Sequence, residues 1–375
     1  MTRKNQTNKK PEKHVAKAFK WRSGTAAGTW VNSVGISADG SKVVAGTYFY
    51  QKNMTMLTGV FAWDQHGNPL WNDTFTADYG INWVSLSRDG LWAAAVGEIS
   101  SGTGFIYAYD ALGHNVLTYK PPQLAWSVAL SNDGSYLAAG ADALYLFTRI
   151  GSNFDVINLQ RTSLPGSMDY VYSVAISGNG QWIVAGTRYG YVGLVENIGG
   201  TLGQPTWWKL TTSFPRIWSV AIAADGSCCA AAGSDGKVHF FGIPGFPTAT
   251  SFSLTGCNSC QAVAINDNGS LVSAVGNTAA KAGKAFLFDA QTGTKKWTHN
   301  TTYPPNNTSM DGAGKYVAVS DGYLTPGDFY VFDVNGNLLW NYPTPQMDWG
   351  LKLSTNGTAL AGGSDDSNLY YFSVP

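Results

Sequence analysis

One short pattern recurs eight times along the chain, and this repeat limits the possible folds more than any other feature. A copy consists of an alternating apolar run, a tight turn and a second apolar run, as in VALSNDGSYLAAG at 128–140. In seven copies the turn is Asp-Gly or Asn-Gly, and successive turn glycines are 43 to 50 residues apart. The aligned glycines are Gly40, Gly90, Gly134, Gly180, Gly226, Gly269, Gly314 and Gly357.

The alternation of apolar and polar residues has the period of a β-strand, and the turn is typical of a β-hairpin. Two further strands follow in most units, such as GVFAWD at 59–64 and NPLW at 68–71. Four antiparallel strands in about 45 residues match the blade of a β-propeller. The sequence therefore predicts an all-β fold, an eight-bladed β-propeller of four-stranded antiparallel blades.

The two ends of the chain predict how the ring closes. The last unit stops at NLYYFSVP, which supplies only a third strand, whereas AFKW at 18–21 has no strands before it. Trp21 precedes Ile36 by the same 15 residues that separate Trp71 from Leu86. We therefore expect residues 14–22 to form the outer strand of blade eight within a single propeller of residues 14–375. Such pairing removes free sheet edges.

Charge is scarce and unevenly distributed. Charged residues make up 13% of the chain, against about 25% in a typical soluble domain. The chain has 24 Lys and Arg against 24 Asp and Glu, but residues 1–20 hold seven basic residues and one Glu. We interpret residues 1–13 as a basic disordered tail and expect no nucleic-acid partner, because no basic stripe extends it.

The sequence also bears on the cell compartment. No apolar stretch approaches the roughly 18 residues needed to cross a membrane, and no apolar segment follows the basic start. As written, the chain has no signal peptide, which favours the cytoplasm. The alternative is an exported protein whose leader has been removed.

The text FDAQTGTKKW at 288–297 resembles the tryptophan-docking repeat of the quinoprotein-like (PQQ-like) propellers, and the first half of each unit equally resembles WD40-like repeats. The likeness covers residues 14–375. The docking tryptophans are Trp21, Trp71, Trp297 and Trp340. Each indole can pack flat on the next blade, with its N–H free to reach a backbone acceptor.

This resemblance implies either of two functions. Some quinoprotein-like propellers are dehydrogenases that bind pyrroloquinoline quinone and a metal, and others are non-enzymatic assembly scaffolds. The enzymes use a disulfide between adjacent cysteines, for which Cys228-Cys229 is the formal match. These two cysteines align with the middle of an ordinary second strand, where the strained turn that such a disulfide needs is absent. We therefore expect no cofactor.

Few residues suggest other chemistry. Cys257 and Cys260 form CNSC in the loop that enters blade six. They can be structural thiols, a local disulfide, a redox pair or half of a metal site. The five histidines are scattered without a second ligand at metal spacing, and no hydrolase or phosphate-binding motif occurs. We expect no metal site and no catalytic residues.

One set of aligned residues suggests binding. The first residue of each innermost strand should lie at the mouth of the central channel, and this ring holds four aromatics and four amides. It either fills the channel or presents a surface for a sugar, a peptide or a loop of a partner. Its members are Asn32, Asn82, Trp126, Tyr172, Trp218, Gln261, Asn306 and Trp349.

Three functions follow from these observations. The first is a non-enzymatic scaffold or binding module for protein–protein interaction. The second is a carbohydrate- or peptide-binding module that uses the aromatic channel mouth. The third is a quinone-dependent oxidoreductase. Fold likeness alone does not choose among them, because propellers support all three.

Overall fold

The computed structural model describes residues 18–25, 28–49, 57–75, 79–99, 102–165, 169–210, 216–243, 245–324 and 326–375. Eight antiparallel sheets surround a central channel. The prediction of an all-β, eight-bladed propeller is therefore confirmed. The predicted tail, residues 1–13, lies outside the described residues. Within the described part of the chain, no helix has the length and apolar character to cross a bilayer.

The strands of blades one to four follow β1, which belongs to blade eight. In chain order they are β1 (Phe19–Gly24), β2 (Thr29–Ile36), β3 (Lys42–Phe49), β4 (Thr58–Asp64), β5 (Pro69–Phe75), β6 (Tyr79–Leu86), β7 (Ala93–Ile99), β8 (Gly104–Tyr109), β9 (Asn115–Tyr119), β10 (Ser127–Leu130), β11 (Tyr136–Gly140), β12 (Leu144–Ile150), β13 (Asn153–Phe154), β14 (Gln160–Thr162), β15 (Val171–Ile176), β16 (Trp182–Thr187), β17 (Tyr191–Ile198), β18 (Thr201–Leu202) and β19 (Thr206–Lys209).

Blades five to eight continue the same pattern. Their strands are β20 (Ile217–Ile222), β21 (Cys228–Gly233), β22 (Lys237–Gly242), β23 (Ala249–Ser253), β24 (Ser259–Ile265), β25 (Leu271–Asn277), β26 (Gly283–Asp289), β27 (Lys295–Thr301), β28 (Pro305–Met310), β29 (Tyr316–Asp321), β30 (Gly327–Asp333), β31 (Leu338–Thr344), β32 (Asp348–Leu353), β33 (Ala359–Ser364) and β34 (Asn368–Ser373).

Blades one to seven pair their strands in chain order from the channel outward, and in blade eight β32, β33 and β34 are followed by β1. Blades three and four carry one extra short strand each, β13 and β18, which lengthens the third strand into a small hairpin. The core lies between neighbouring blades. Val44 and Val60 of blade one, for example, pack with Ile81 and Tyr109 of blade two. Stability therefore depends on the closed ring, because every blade buries its faces against two neighbours.

The ring closes as the sequence predicts. β1 pairs with β34 and completes blade eight, with Trp21 opposite Tyr371 and Gly24 opposite Asn368. The observed strand reaches Gly24, two residues beyond the predicted 14–22, because its partner continues to Asn368. Residues 14–17 lie outside the described residues. The Trp21 indole stacks on Tyr371 with ring centroids 5.2 Å apart and planes 1° apart.

The tryptophan contacts between blades also agree with the sequence. Trp21 Nε1 donates to the Gln65 carbonyl at 2.9 Å, and Trp297 Nε1 donates to the Val334 carbonyl at 3.2 Å. Trp340 departs from this rule, because its buried Nε1 has no hydrogen-bond partner in the described structure.

A belt of backbone hydrogen bonds joins all eight blades at the end of the channel where the first and second strands connect. In six blades the residue two positions before the turn glycine donates its N–H to the next blade. In blades five and eight the residue directly before the glycine does so, and all eight distances are 2.8–3.3 Å. The belt returns to its start because Asn356 of blade eight donates to Ala38 of blade one. Its carbonyl acceptors are Arg88, Asn132, Gly178, Ala224, Asp267, Gly312, Thr355 and Ala38.

Candidate binding site in the central channel

The eight predicted ring residues surround one end of the channel, a cavity of about 710 Å³. They are not the first residues of their strands, since β2 begins three residues before Asn32. In seven blades the pairing register shifts across the ring residue, as in a β-bulge; the exception is Trp126, which precedes β10. A bulge re-aims a side chain away from the sheet face. The repeated bulge therefore accounts for side chains that reach the channel.

Three neighbouring blades supply an arc of aromatic rings to the mouth. Trp126 meets Tyr172 edge to face at a centroid distance of 5.1 Å, and Tyr172 stacks on Trp218 at 6.0 Å. The Arg216 guanidinium lies 5.2 Å from the Trp218 ring centroid. Trp349 stands apart in blade eight, and Trp218 and Trp349 are 36% and 37% exposed. The arc is pre-arranged, and its outer tryptophan remains open to a ligand.

The amides of the ring connect neighbouring blades. Asn32 Nδ2 donates to the Asn82 carbonyl at 3.1 Å, and Asn82 Nδ2 donates to the Ala125 carbonyl at 3.0 Å. Asn306 Nδ2 likewise donates to the Asp348 carbonyl at 2.9 Å. Gln261 differs, because its Nε2 donates within its own blade to Ser259 Oγ. Asn32, Asn82 and Asn306 thus join neighbouring blades as well as lining the mouth.

Trp83 is a further aromatic residue of the channel that the ring alignment missed. It follows Asn82 directly, lines the cavity and is 38% exposed. The corresponding residues of the other blades are Ser33, Ser127, Ser173, Ser219, Ala262, Asn307 and Gly350. The aligned sequences could have identified Trp83, because the other seven repeats have a smaller residue at this position.

An ion pair spans the opposite end of the channel. Arg88 Nη1 lies 2.7 Å from Asp267 Oδ2, and Arg88 Nη2 contacts the other carboxylate oxygen. Arg88 belongs to blade two and Asp267 to blade six, which face each other across an eight-bladed ring. Lys352 of blade eight also lines the cavity. The Lys352 side chain is exposed to the lumen. Confinement within the channel and the nearby Arg88 charge lower the pKa of Lys352, although Asp267 acts in the opposite direction.

A buried and a partly buried carboxyl group, Asp321 and Asp365, lie in blades seven and eight. Desolvation raises the pKa of Asp365 to about 7, although the nearby Trp349 side chain acts in the opposite direction. Desolvation and the neighbouring Asp328 raise the pKa of Asp321 to about 7, against hydrogen bonds from the Tyr303 N–H and the Tyr330 hydroxyl. Nothing in the sequence indicates these pKa shifts, because they depend on burial.

The cysteines do not form the arrangement of the quinone-binding enzymes. Cys228 and Cys229 are consecutive buried residues of β21, and both are free thiols. Their side chains point to opposite faces of the strand, where a disulfide between neighbours cannot form. The residues present therefore do not fit the quinone-stacking group.

Cys257 and Cys260 are also free thiols. Cys260 is fully buried, and desolvation raises its pKa well above the ordinary value. A raised pKa disfavours the thiolate that redox or metal chemistry needs. Of the readings left open, structural thiols agree best with this environment.

A Ser–His–Asp chain that sequence analysis missed lies in blade five. His239 Nε2 is 2.8 Å from Asp235 Oδ2, and Ser251 Oγ is 2.9 Å from His239 Nδ1. Burial opposes ionisation of Asp235, but the His239 hydrogen bond holds its pKa below the ordinary value. Blades three and eight use the same arrangement with tyrosine, as Tyr145 donates to Asp142 and Tyr370 to Asp366. The chain thus occupies a structural position that ties the turn after the second strand to the third strand.

Comparison with known proteins agrees with this geometry. The family model "WD domain, G-beta repeat" matches residues 158–194 and 208–241. Each match runs from the outer strand of one blade into the inner strands of the next. A search of curated proteins gave no match. Within the described residues, no group of three or more His, Cys, Asp or Glu side chains could hold a metal ion.

Two solved structures with similar folds are informative. "Structure of Dos1 propeller" superposes with a TM-score of 0.71 and 15% identity over 95% of both chains. Sqt1 of Chaetomium thermophilum, solved bound to the N-terminus of the ribosomal protein L10, gives a TM-score of 0.73 and 15% identity over 96% of this chain and 99% of that one. At 15% identity, these two matches show similarity of fold alone.

Proposed function

We propose that the chain is a non-enzymatic scaffold that binds a segment of a partner protein at the channel mouth. The aromatic arc of Trp126, Tyr172 and Trp218 carries this proposal. Tryptophan, tyrosine and arginine dominate the energetics of protein interfaces, and Arg216 lies against the outer ring of the arc. Their mutual contacts fix the rings before binding, which reduces the entropy cost of association.

A protein of similar fold supports the choice of a peptide segment as the ligand. The solved Sqt1 structure holds the N-terminus of a ribosomal protein. The present channel has the volume to admit the tip of a loop or an extended segment, at about 710 Å³. We therefore expect a partner that inserts a short segment between the aromatic arc and Trp349.

Carbohydrate binding is the second candidate. Trp349 presents a partly exposed indole between the amide-bearing blades one and seven. A flat apolar ring beside amide donors and acceptors is the combination that sugar rings need. Tyr172 and Trp218 favour it less, because they stack on each other.

Affinity capture from the native host, with mass spectrometry, tests the first proposal. We expect proteins that bind the wild type and are lost by the Trp218→Ala/Trp349→Ala double variant. A Leu112→Ala/Ile157→Ala double variant is the control, because these residues are 73% and 90% exposed but do not line the channel. The captured partner is then divided into peptides to find the segment that binds.

Two results would reject the scaffold. One is a set of captured proteins that the mouth variant retains as fully as the wild type. The other is binding on a glycan array that disappears with Trp349→Ala, which would instead establish the carbohydrate module.

A further inference from the structure

One layer of the channel differs sharply between blades. Five residues before each turn glycine, the innermost strand carries a residue that lines the cavity. In seven blades this residue is Gly, Ala or Ser, and in blade eight it is Lys352. The seven small residues are Gly35, Ser85, Ala129, Ala175, Ala221, Ala264 and Ser309. A single ammonium group therefore enters a space that the other blades leave open.

The Lys352 ammonium has no hydrogen bond or ion pair with the described residues. The nearby acid, Asp267, is engaged by both terminal nitrogens of Arg88. Among the described residues that line the cavity, the cations are Arg88, Arg216 and Lys352, and Asp267 is the acid. The end of the channel opposite the aromatic mouth thus holds Arg88, Lys352 and Asp267, which is one cationic side chain more than acidic side chains.

The Lys352 side chain is exposed to the lumen, and a confined channel with unbalanced charge concentrates its field and attracts an ion of the opposite sign. One excess positive charge matches one negative charge, which favours a carboxylate over a phosphate dianion. Three residues of strand separate the aromatic mouth from the Lys352 layer, a distance of roughly 10 Å. A ligand that enters through the mouth must therefore carry its acid at the end of an extended chain that spans this distance.

We propose that the channel is a binding site for a carboxylate group, which enters through the aromatic mouth and pairs with Lys352 beside the Arg88–Asp267 bridge. The acid belongs either to a small organic acid or to the acidic side chain of an inserted peptide. Both sources offer the same group to the same ammonium. The site lies inside the channel and does not require that the outer mouth bind a protein.

Isothermal titration calorimetry with matched probes tests this proposal. The probes are 4-phenylbutyrate, its neutral amide, and acetyl-Ala-Ala-Ala-Ala-Glu-amide with its Gln counterpart. We expect at least one acid to bind at least about tenfold more tightly than its neutral partner, because charge-assisted hydrogen bonds are the stronger ones. Binding of the phenyl acid alone indicates a small-molecule ligand, and binding of the Glu peptide alone indicates a peptide.

Variants locate the bound acid. Lys352→Met keeps the length of the side chain and removes its charge, so we expect an affinity loss of about tenfold or more. Lys352→Arg should retain most of the binding. The control is Lys295→Met, because Lys295 is exposed on the outer strand β27. Melting curves of each variant verify folding.

The comparison of acid with neutral probe uses the wild type, so it remains decisive even where a variant folds poorly. Failure of both acids to bind, equal binding of acid and neutral probes, or acid binding that Lys352→Met leaves intact would each overturn the carboxylate site. None of these results depends on capture of a protein partner.

Discussion

At the scale of single residues, glycines in the turns between third and fourth strands decide how closely blades approach. Gly67, Gly113 and Gly336 have positive φ, and each lies under a tryptophan of the preceding blade. A Cβ at Gly113 would come within 2.5 Å of the Trp71 ring. Glycine is needed there for two separate reasons, the backbone conformation and the space.

A pair of alanine substitutions separates these two reasons. Gly102 has a φ of +87°, close to the +85° of Gly113, but a Cβ there would meet nothing within 4 Å. We expect Gly102→Ala to lower the free energy of unfolding by about 1 kcal/mol through backbone strain. Gly113→Ala should lower the free energy of unfolding by about 1–3 kcal/mol more than Gly102→Ala, because the Trp71 indole must move. Equal losses in urea denaturation would show that the indole contact adds nothing.

The desolvated carboxyl groups Asp321 and Asp365 of blades seven and eight lead to a second residue-scale prediction. Asp321 and Asp365 have a pKa of about 7 in the folded protein, against about 4 in an unfolded chain. Between these values the folded state keeps protons that the unfolded state has released. The free energy of unfolding should therefore fall as the pH rises from 5 to 8.

The Asp321→Asn/Asp365→Asn double variant should reduce this fall by about 1–3 kcal/mol, measured by urea denaturation across that pH range. Asp333→Asn is the control. Hydrogen bonds hold the pKa of Asp333 below its ordinary value, so that it does not titrate in this window. An unchanged pH slope in the double variant would contradict the assignment of these two groups.

At the scale of strands, β1 determines whether blade eight has an outer edge. It pairs along β34, and Phe19 adds a stacked contact with Tyr342 of blade seven at 5.3 Å. Ser367 further joins the two ends of the chain, since its Oγ donates to the Thr29 carbonyl at 2.7 Å. Because Trp21 of the same strand also donates to Gln65 of blade one, β1 contacts blades seven, eight and one.

Deletion of residues 1–25 should destabilise the whole ring instead of fraying one end. We expect a melting temperature at least several degrees lower, because the aromatic contacts of Phe19 and Trp21 and one edge of β34 are lost. Deletion of residues 1–13 alone leaves β1 in place and serves as the control. A melting temperature unchanged by the longer deletion would disprove the role assigned to the strand.

Most strands could be predicted because the same pattern of alternating apolar residues and a turn glycine recurs eight times. The turn glycines and the alternating apolar runs located the first two strands of every blade. The outer strands of blades three and four were less predictable, since the small hairpins β13 and β18 precede β14 and β19 there. Local pattern does not reveal which short strand joins the main sheet, because that choice depends on pairing with residues far along the chain.

The candidate site was predictable in composition but not in geometry. Alignment found the eight ring residues, and the structure places them around one cavity. The alignment did not show that Asn32 and Asn82 would join neighbouring blades, or that Arg88 would pair with Asp267 from the opposite side of the ring. Such contacts join residues up to 179 positions apart, and only ring closure sets their distances.

At the scale of the whole molecule, the hydrogen-bonded belt and the shared cores make every blade depend on two neighbours. We expect urea unfolding to be a single transition, with tryptophan fluorescence and far-UV circular dichroism changing together. A form that lacks β1 has an unpaired edge, and its two signals should separate. Separate transitions in the intact chain would show that the blades unfold independently.

The pairing of β1 with β34 also has a consequence for biosynthesis. The two strands are about 350 residues apart in the chain. At translation rates of about 5–20 residues per second, the first strand waits roughly 20–70 s for its partner. During that interval the ribosome carries a row of nascent blades whose faces still lack their final neighbours. Correct maturation thus depends on what shields Trp21 and the exposed sheets before the polypeptide is released.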